Sequence, residues 1–156
     1  MPALPCTDGL ALGVPVMDTT HQEFIALLAD AEAAADDVLP GIWEELVAHT
    51  ADHFQREDDW MLATGFALGN CHSSHHAVVL QVLRDALAQA TSGNLAPARQ
   101  AIGQLAVWFP QHAQTMDAAL ALHLQGLGFD PETGGLANDA ALPAEAITGC
   151  GGGSCG

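Results

Sequence analysis

Residues 53–61, HFQREDDWM, decide how the rest of the chain is read. His53 and Glu57 stand four apart in a segment whose apolar residues recur every three or four positions: Trp43, Leu46, Val47, Phe54, Trp60 and Met61. That period makes the segment an amphipathic helix, and residues four apart on a helix project from one side. The imidazole and the carboxylate can therefore reach one common point. Alone, such a pair is more often a surface coincidence than half of a metal site, so the other helices have to decide.

The same period recurs around it. A first helix is expected from Asp18 or Thr19, either of which can cap it, with Phe24, Leu27 and Leu28 on its apolar face, running out near Asp36–Asp37. The second begins after Pro40–Gly41 and stops near Gly65. A third runs from about Cys71 to Thr91 with Val79, Leu80, Leu83 and Leu87 inward. A fourth extends from Leu95 or Pro97 to Leu124, closed by Gly126. Four such helices with short connections predict an all-α, antiparallel up-down-up-down four-helix bundle over residues 18–125. An irregular arm, 1–17, precedes it, broken by Pro2, Pro5 and Pro15. A flexible tail, 126–156, follows; it is rich in glycine and ends CGGGSCG.

The charge balance narrows the partners. Nineteen acidic residues face three arginines and no lysine, for a formal net charge of −16. Phosphate contacts need Lys and Arg, so neither nucleic acid nor an anionic membrane surface is an expected partner. No apolar run reaches the length of a membrane span, and the N-terminus lacks a basic leader. A cytoplasmic location is expected, with Cys6, Cys71, Cys150 and Cys155 reduced by default. Their spacing forms no CxxC pair or zinc-finger pattern, although Cys150 and Cys155 could close a redox-sensitive disulfide across the glycines between them.

The eight histidines are the informative residues. His21 falls on the first helix, His49 and His53 with Glu57 on the second, His72, His75 and His76 on the third, and His112, Asp117 and His123 on the fourth. A lone histidine on an apolar face is usually a hydrogen-bonded core residue. Here every helix offers a nitrogen ligand, and HxxxE, HxxxH and HxxxxD sets follow one another along the chain. Burying that many imidazoles and carboxylates without partners costs several kcal/mol each, and a metal is the partner that serves them all. His49 rivals His53, and His75 rivals His76, on spacing alone. His112 and Asp117 are awkward, because five residues on an ideal helix leave them about 140° apart. They converge if the metals sit to one flank or if a π-bulge widens the turn, and Pro110 just upstream can distort this stretch.

The stretches LGVPVMDTTH, HFQREDDWM, HSSHH and WFPQHAQTMD resemble the hemerythrin family, in particular its single-domain bacterial members, over roughly residues 10–125. The resemblance implies a non-haem di-iron centre that binds dioxygen reversibly. It assigns His72, His76 and His112 to one iron and His21 and His53 to the other. Glu57 and Asp117 bridge the pair, together with an oxo or hydroxo group. The implied role is an oxygen carrier, store or delivery module rather than an enzyme, with a recipient protein as a further partner. The alternatives are a di-iron redox enzyme of peroxidase-like or iron-oxidising type, and an oxygen or redox sensor that uses the tail cysteines.

The donor types agree with that assignment on chemical grounds. Imidazole suits iron and carboxylates bridge metal pairs, whereas ferritin-like enzymes rely mainly on glutamates with Glu-x-x-His motifs, which this chain lacks on two helices. Fewer anionic ligands should stabilise the diferric state less and let oxygen leave again. Trp108 and Phe109, with Met61 and Phe24, are candidate walls of a dry pocket. Of the acidic run 57–59, only Glu57 is expected to point inward.

Overall fold

The structure, a computed structural model, describes residues 10–66, 70–137 and 142–143. Its helices are α1 (Pro15–Ala33), α2 (Leu39–Ala63), α3 (Cys71–Thr91), α4 (Ala96–His112) and α5 (Ala118–Gly126). The last two join through a single π-helical segment, Ala113–Asp117, so that together they form the fourth arm of a four-helix bundle. Neighbouring helices pack on one another in sequence, and α4 closes the ring against α1. Among the described residues, no helix is long and apolar enough to cross a membrane.

Prolines set several helix starts. Pro15, Pro40 and Pro97 each occupy the first turn of a helix, where a missing N–H costs no hydrogen bond and the fixed φ suits the helix. For this reason α1 and α2 begin a few residues before the positions expected from their apolar periodicity. Asp18 does not cap α1. Its carboxylate reaches back to the N–H groups of Leu12 and Gly13, at 2.7 and 3.2 Å, and ties the chain ahead of the helix to its first turns. Among the described residues, α3 alone has a side-chain cap: Asn70 accepts from Ser73 N–H at 2.9 Å.

The last helix runs to Gly126, but the residue that closes it is Gly128. Gly128 has a φ of 59°, and Phe129 N–H then reaches the Leu124 carbonyl at 2.9 Å, a Schellman closure that brings Phe129 back onto the core. Residues 127–137 turn back on themselves through a bridge between Phe129 and Leu136. Cys71 is disulfide-bonded, which corrects the expectation of four reduced thiols; Cys6, Cys150 and Cys155 all lie outside the described residues.

Apolar side chains form two clusters. The larger holds Phe24, Leu28, Trp43, Leu46, Leu83, Leu105 and Phe109; the smaller holds Met17, Trp60, Met61, Leu120 and Leu124. The polar residues fall between them on each helix that contributes to both. On α1 the order is Met17, His21, Phe24, and on α2 it reverses to Val47, His53, Trp60. The fourth arm reads Phe109, His112, Asp117, Leu120. That reversal is what antiparallel neighbours require to build one continuous layer.

Candidate metal centre

Seven polar side chains fill the layer, and all are buried: His21, His53, Glu57, His72, His76, His112 and Asp117. They form two groups, each with ligand atoms mutually within 4.8 Å. One is His72, His76, His112 and Asp117; the other is His21, His53, Glu57 and Asp117. Asp117 belongs to both. Its carboxylate stands 3.0 Å from His21 Nε2, 2.9 Å from His72 Nε2 and 3.0 Å from His112 Nε2. Glu57 lies 2.6 Å from His53 Nε2 and also faces the other group, at 4.0 Å from His72 and 3.9 Å from His76.

The π segment explains how the fourth helix contributes two groups five residues apart. Ala118 N–H reaches the Ala113 carbonyl, so one turn holds an extra residue and brings Asp117 round to the side of His112. Pro110 sits in the turn before it. The Thr115 hydroxyl donates to the Gln111 carbonyl at 2.6 Å, adding a bond across the widened stretch.

These atoms are close without being hydrogen-bonded. Both oxygens of Glu57 and of Asp117, and Nε2 of His21, His53 and His72, are buried with no hydrogen-bond partner, despite the short separations above. His76 Nε2 and His112 Nε2 face each other at 3.2 Å. Two ligands about 2.1 Å from a metal and at right angles stand about 3 Å apart. Lone pairs converging on shared points account for both observations, and unsatisfied groups in a closed core do not. The residues fit a metal pair.

Electrostatics within the layer point the same way. Burial pushes His53 down to about 4 and lowers His76 and His112 as well, so all three imidazoles are neutral donors at pH 7. Burial also raises Glu57 well above the carboxylate range, with Asp117 adding to the shift. Asp117 itself lies well below its ordinary value: burial opposes ionisation, but His112, His21 and His72 overcome it. His72 moves the other way: burial lowers it, but Asp117 beside its Nε2 and the neighbouring Glu57 outweigh that burial and raise it.

The linkage for His53 can be tested in metal-free protein. Its folded value lies below the unfolded 6.5, so its contribution to stability is complete above pH 6.5 and is lost as pH falls toward 4. Between pH 7 and 5 the wild type should lose on the order of 2 kcal/mol more than His53→Gln in urea melts. Equal losses would overturn this assignment.

The remaining sequence candidates lie elsewhere. His75 is exposed. His49 pairs with Glu23 of α1 at 2.8 Å, outside both groups. His123 donates from Nε2 to the Thr64 carbonyl at 2.7 Å, satisfying the end of α2 rather than its own helix. Alanine at either His49 or His75 should leave metal content per chain at the wild-type value; depletion by either would move the ligand register.

Trp108 and Phe109 part company. Phe109 meets the edge of His21 and packs on Phe24 on the two-histidine side, while Trp108 stacks on His112 on the other. Asp58 was missed. Read as part of a solvated acidic run, it instead accepts from His76 Nδ1 at 2.9 Å, and burial raises it to about 6. The available signal was that a ligating histidine commonly hands its second N–H to a carboxylate.

An antiparallel four-helix bundle with imidazoles and carboxylates layered between two apolar clusters defines a cation-binding protein. Comparison with known proteins makes the class specific. The family model described as the hemerythrin HHE cation binding domain matches residues 12–122. A bacteriohemerythrin of Ralstonia nicotianae is 34% identical over 131 residues, covering 83% of this chain and 95% of the relative. A hemerythrin chain of Sipunculus nudus is 28% identical over 110 residues, or 65% of this chain and 87% of that one. No solved structure matches the chain. The chain belongs to the hemerythrin family.

Proposed function

We propose that the chain binds dioxygen reversibly at a pair of iron ions, as an oxygen carrier, store or delivery module. The observation that carries this reading is the sharing of Asp117 between two ligand groups whose buried atoms are otherwise unpartnered. His72, His76 and His112 would hold one iron and His21 and His53 the other, with Glu57 and Asp117 lying across both. Ferrous iron supplies the electrons that dioxygen needs in order to bind.

The chain's own residues do the rest. Three histidines against two leave the two-histidine side with fewer protein ligands, and that is where dioxygen would enter. Phe109 packs against His21 there, backed by Phe24, and keeps the side apolar, which limits water. Five imidazole ligands against two carboxylates would stabilise the higher oxidation state less than a carboxylate-rich site, favouring release over lasting oxidation. Burial and the neighbouring Asp117 raise Glu57 well above the ordinary carboxylate value, so a metal bound there would compete with a proton.

The test is the absorption spectrum of iron-loaded, reduced protein without oxygen, in air, and after oxygen is removed. A charge-transfer band that appears in air and vanishes on deoxygenation is the expected result. A band that decays irreversibly would favour an oxidising or sensing role, and no iron uptake at all would overturn the reading.

A further inference from the structure

His76 is gripped from outside the ligand layer by two residues of α2. Phe54 lies flat on its ring, with centroids 4.0 Å apart and planes within 3°. Asp58 takes its second nitrogen, Nδ1, at 2.9 Å. Phe54 and Asp58 are four apart, as are His53 and Glu57, so α2 presents two adjacent ridges to the interior. One ridge offers ligand atoms and the other holds a ligand belonging to α3.

The arrangement is selective. Nδ1 of His21, His53 and His112 is buried without a hydrogen-bond partner, whereas His76 meets a carboxylate. A hydrogen on Nδ1 shared with Asp58 fixes the tautomer that leaves the Nε2 lone pair facing His112 and the layer. An anionic acceptor at Nδ1 also makes the imidazole a stronger donor at Nε2.

We propose that Asp58 is a positioning residue: through its hydrogen bond to His76 Nδ1 it orients that ring and strengthens it as a ligand of the three-histidine metal. The inference rests on the metal-centre reading above and goes beyond it by making the two metal positions unequal in their outer support. Phe54 restricts the ring to one plane, and Asp58 selects its rotation within that plane.

The test uses the full chain, stripped of metal and titrated with Co(II), comparing wild type with Asp58→Asn, Asp58→Glu and Asp59→Asn. Asp59 is the exposed neighbour, which bonds Gln55, so Asp59→Asn removes the same charge without touching His76. Asp58→Asn should weaken one of the two Co(II) steps by 10–100-fold and leave the other unchanged. In the Co(II) form, the hyperfine-shifted, exchangeable His76 N–H proton signal should move and exchange faster with water. Asp58→Glu should restore both readouts in part, and Asp59→Asn should match wild type.

Wild type that takes up two Co(II) while Asp58→Asn behaves identically overturns the role of Asp58. Equal losses in Asp58→Asn and Asp59→Asn also overturn it, because surface charge alone would then account for the effect. Failure of wild type to take up two Co(II) would instead sink the underlying metal-centre reading.

Discussion

Asp117→Asn should end metal uptake at both positions while leaving the bundle folded. The amide keeps the side chain's volume, so no cavity opens, but it removes the anion that three imidazoles converge on at 2.9–3.0 Å. Outer partners of ligands already contribute 10–100-fold in affinity, so loss of a shared ligand should cost roughly 100-fold or more at each position. His21→Ala provides the contrast, since His21 belongs to one group only and should empty one position. Metal per chain after loading and desalting separates the two cases. Retention of a full complement by Asp117→Asn would refute the shared role.

The metal-free protein should respond as well. Two effects oppose each other at Asp117: burial disfavours its charge, while His112, His21 and His72 favour it. The imidazoles win, because the carboxyl is held well below its ordinary value. Asp117→Ala removes the favoured charge and leaves His72 without the acceptor that raises it. Breaking a buried pair of this kind costs on the order of 3–5 kcal/mol. Because the folded value is depressed, this contribution is present at neutral pH and is lost as pH falls below the ordinary carboxylate range.

Spacing brought polar residues of all four arms to one layer, and the resemblance to the hemerythrin family chose His53 over His49 and His76 over His75. Apolar residues every three or four positions gave the four arms, and polar residues at the same phase marked positions that an apolar core would not accept unaided. Asp58 escaped because three successive acids read as a solvated face, whereas the ridge beside Glu57 in fact meets α3. The π segment stayed one of two open solutions for another reason. No residue type specifies an i→i+5 turn, so the pattern HxxxxD could pose the convergence problem without choosing its solution. Asp18 looked like a cap because acids favour that position, yet a proline three residues earlier starts the helix and turns the carboxylate into a clasp on the preceding stretch of chain.

Trp43→Ala should produce the largest loss of stability from a residue remote from the metal layer. Trp43 is fully buried in the larger cluster, and its indole N–H donates to the Leu83 carbonyl at 3.0 Å, joining α2 to α3. Truncation empties the space of a whole indole and removes that bond, for a loss of about 3–5 kcal/mol. A domain of this size should then melt roughly 10–15 °C lower. Metal per folded chain, measured well below the melting transition, should nevertheless stay at the wild-type value, because the ligands lie in the next layer along each helix. Loading should also recover part of the loss, since a ligand that binds only the folded state stabilises it by mass action. A folded Trp43→Ala protein that could not hold metal would mean that the apolar cluster sets the ligand geometry directly. The expected separation, stability lost and metal kept, is what independent packing of cluster and layer requires.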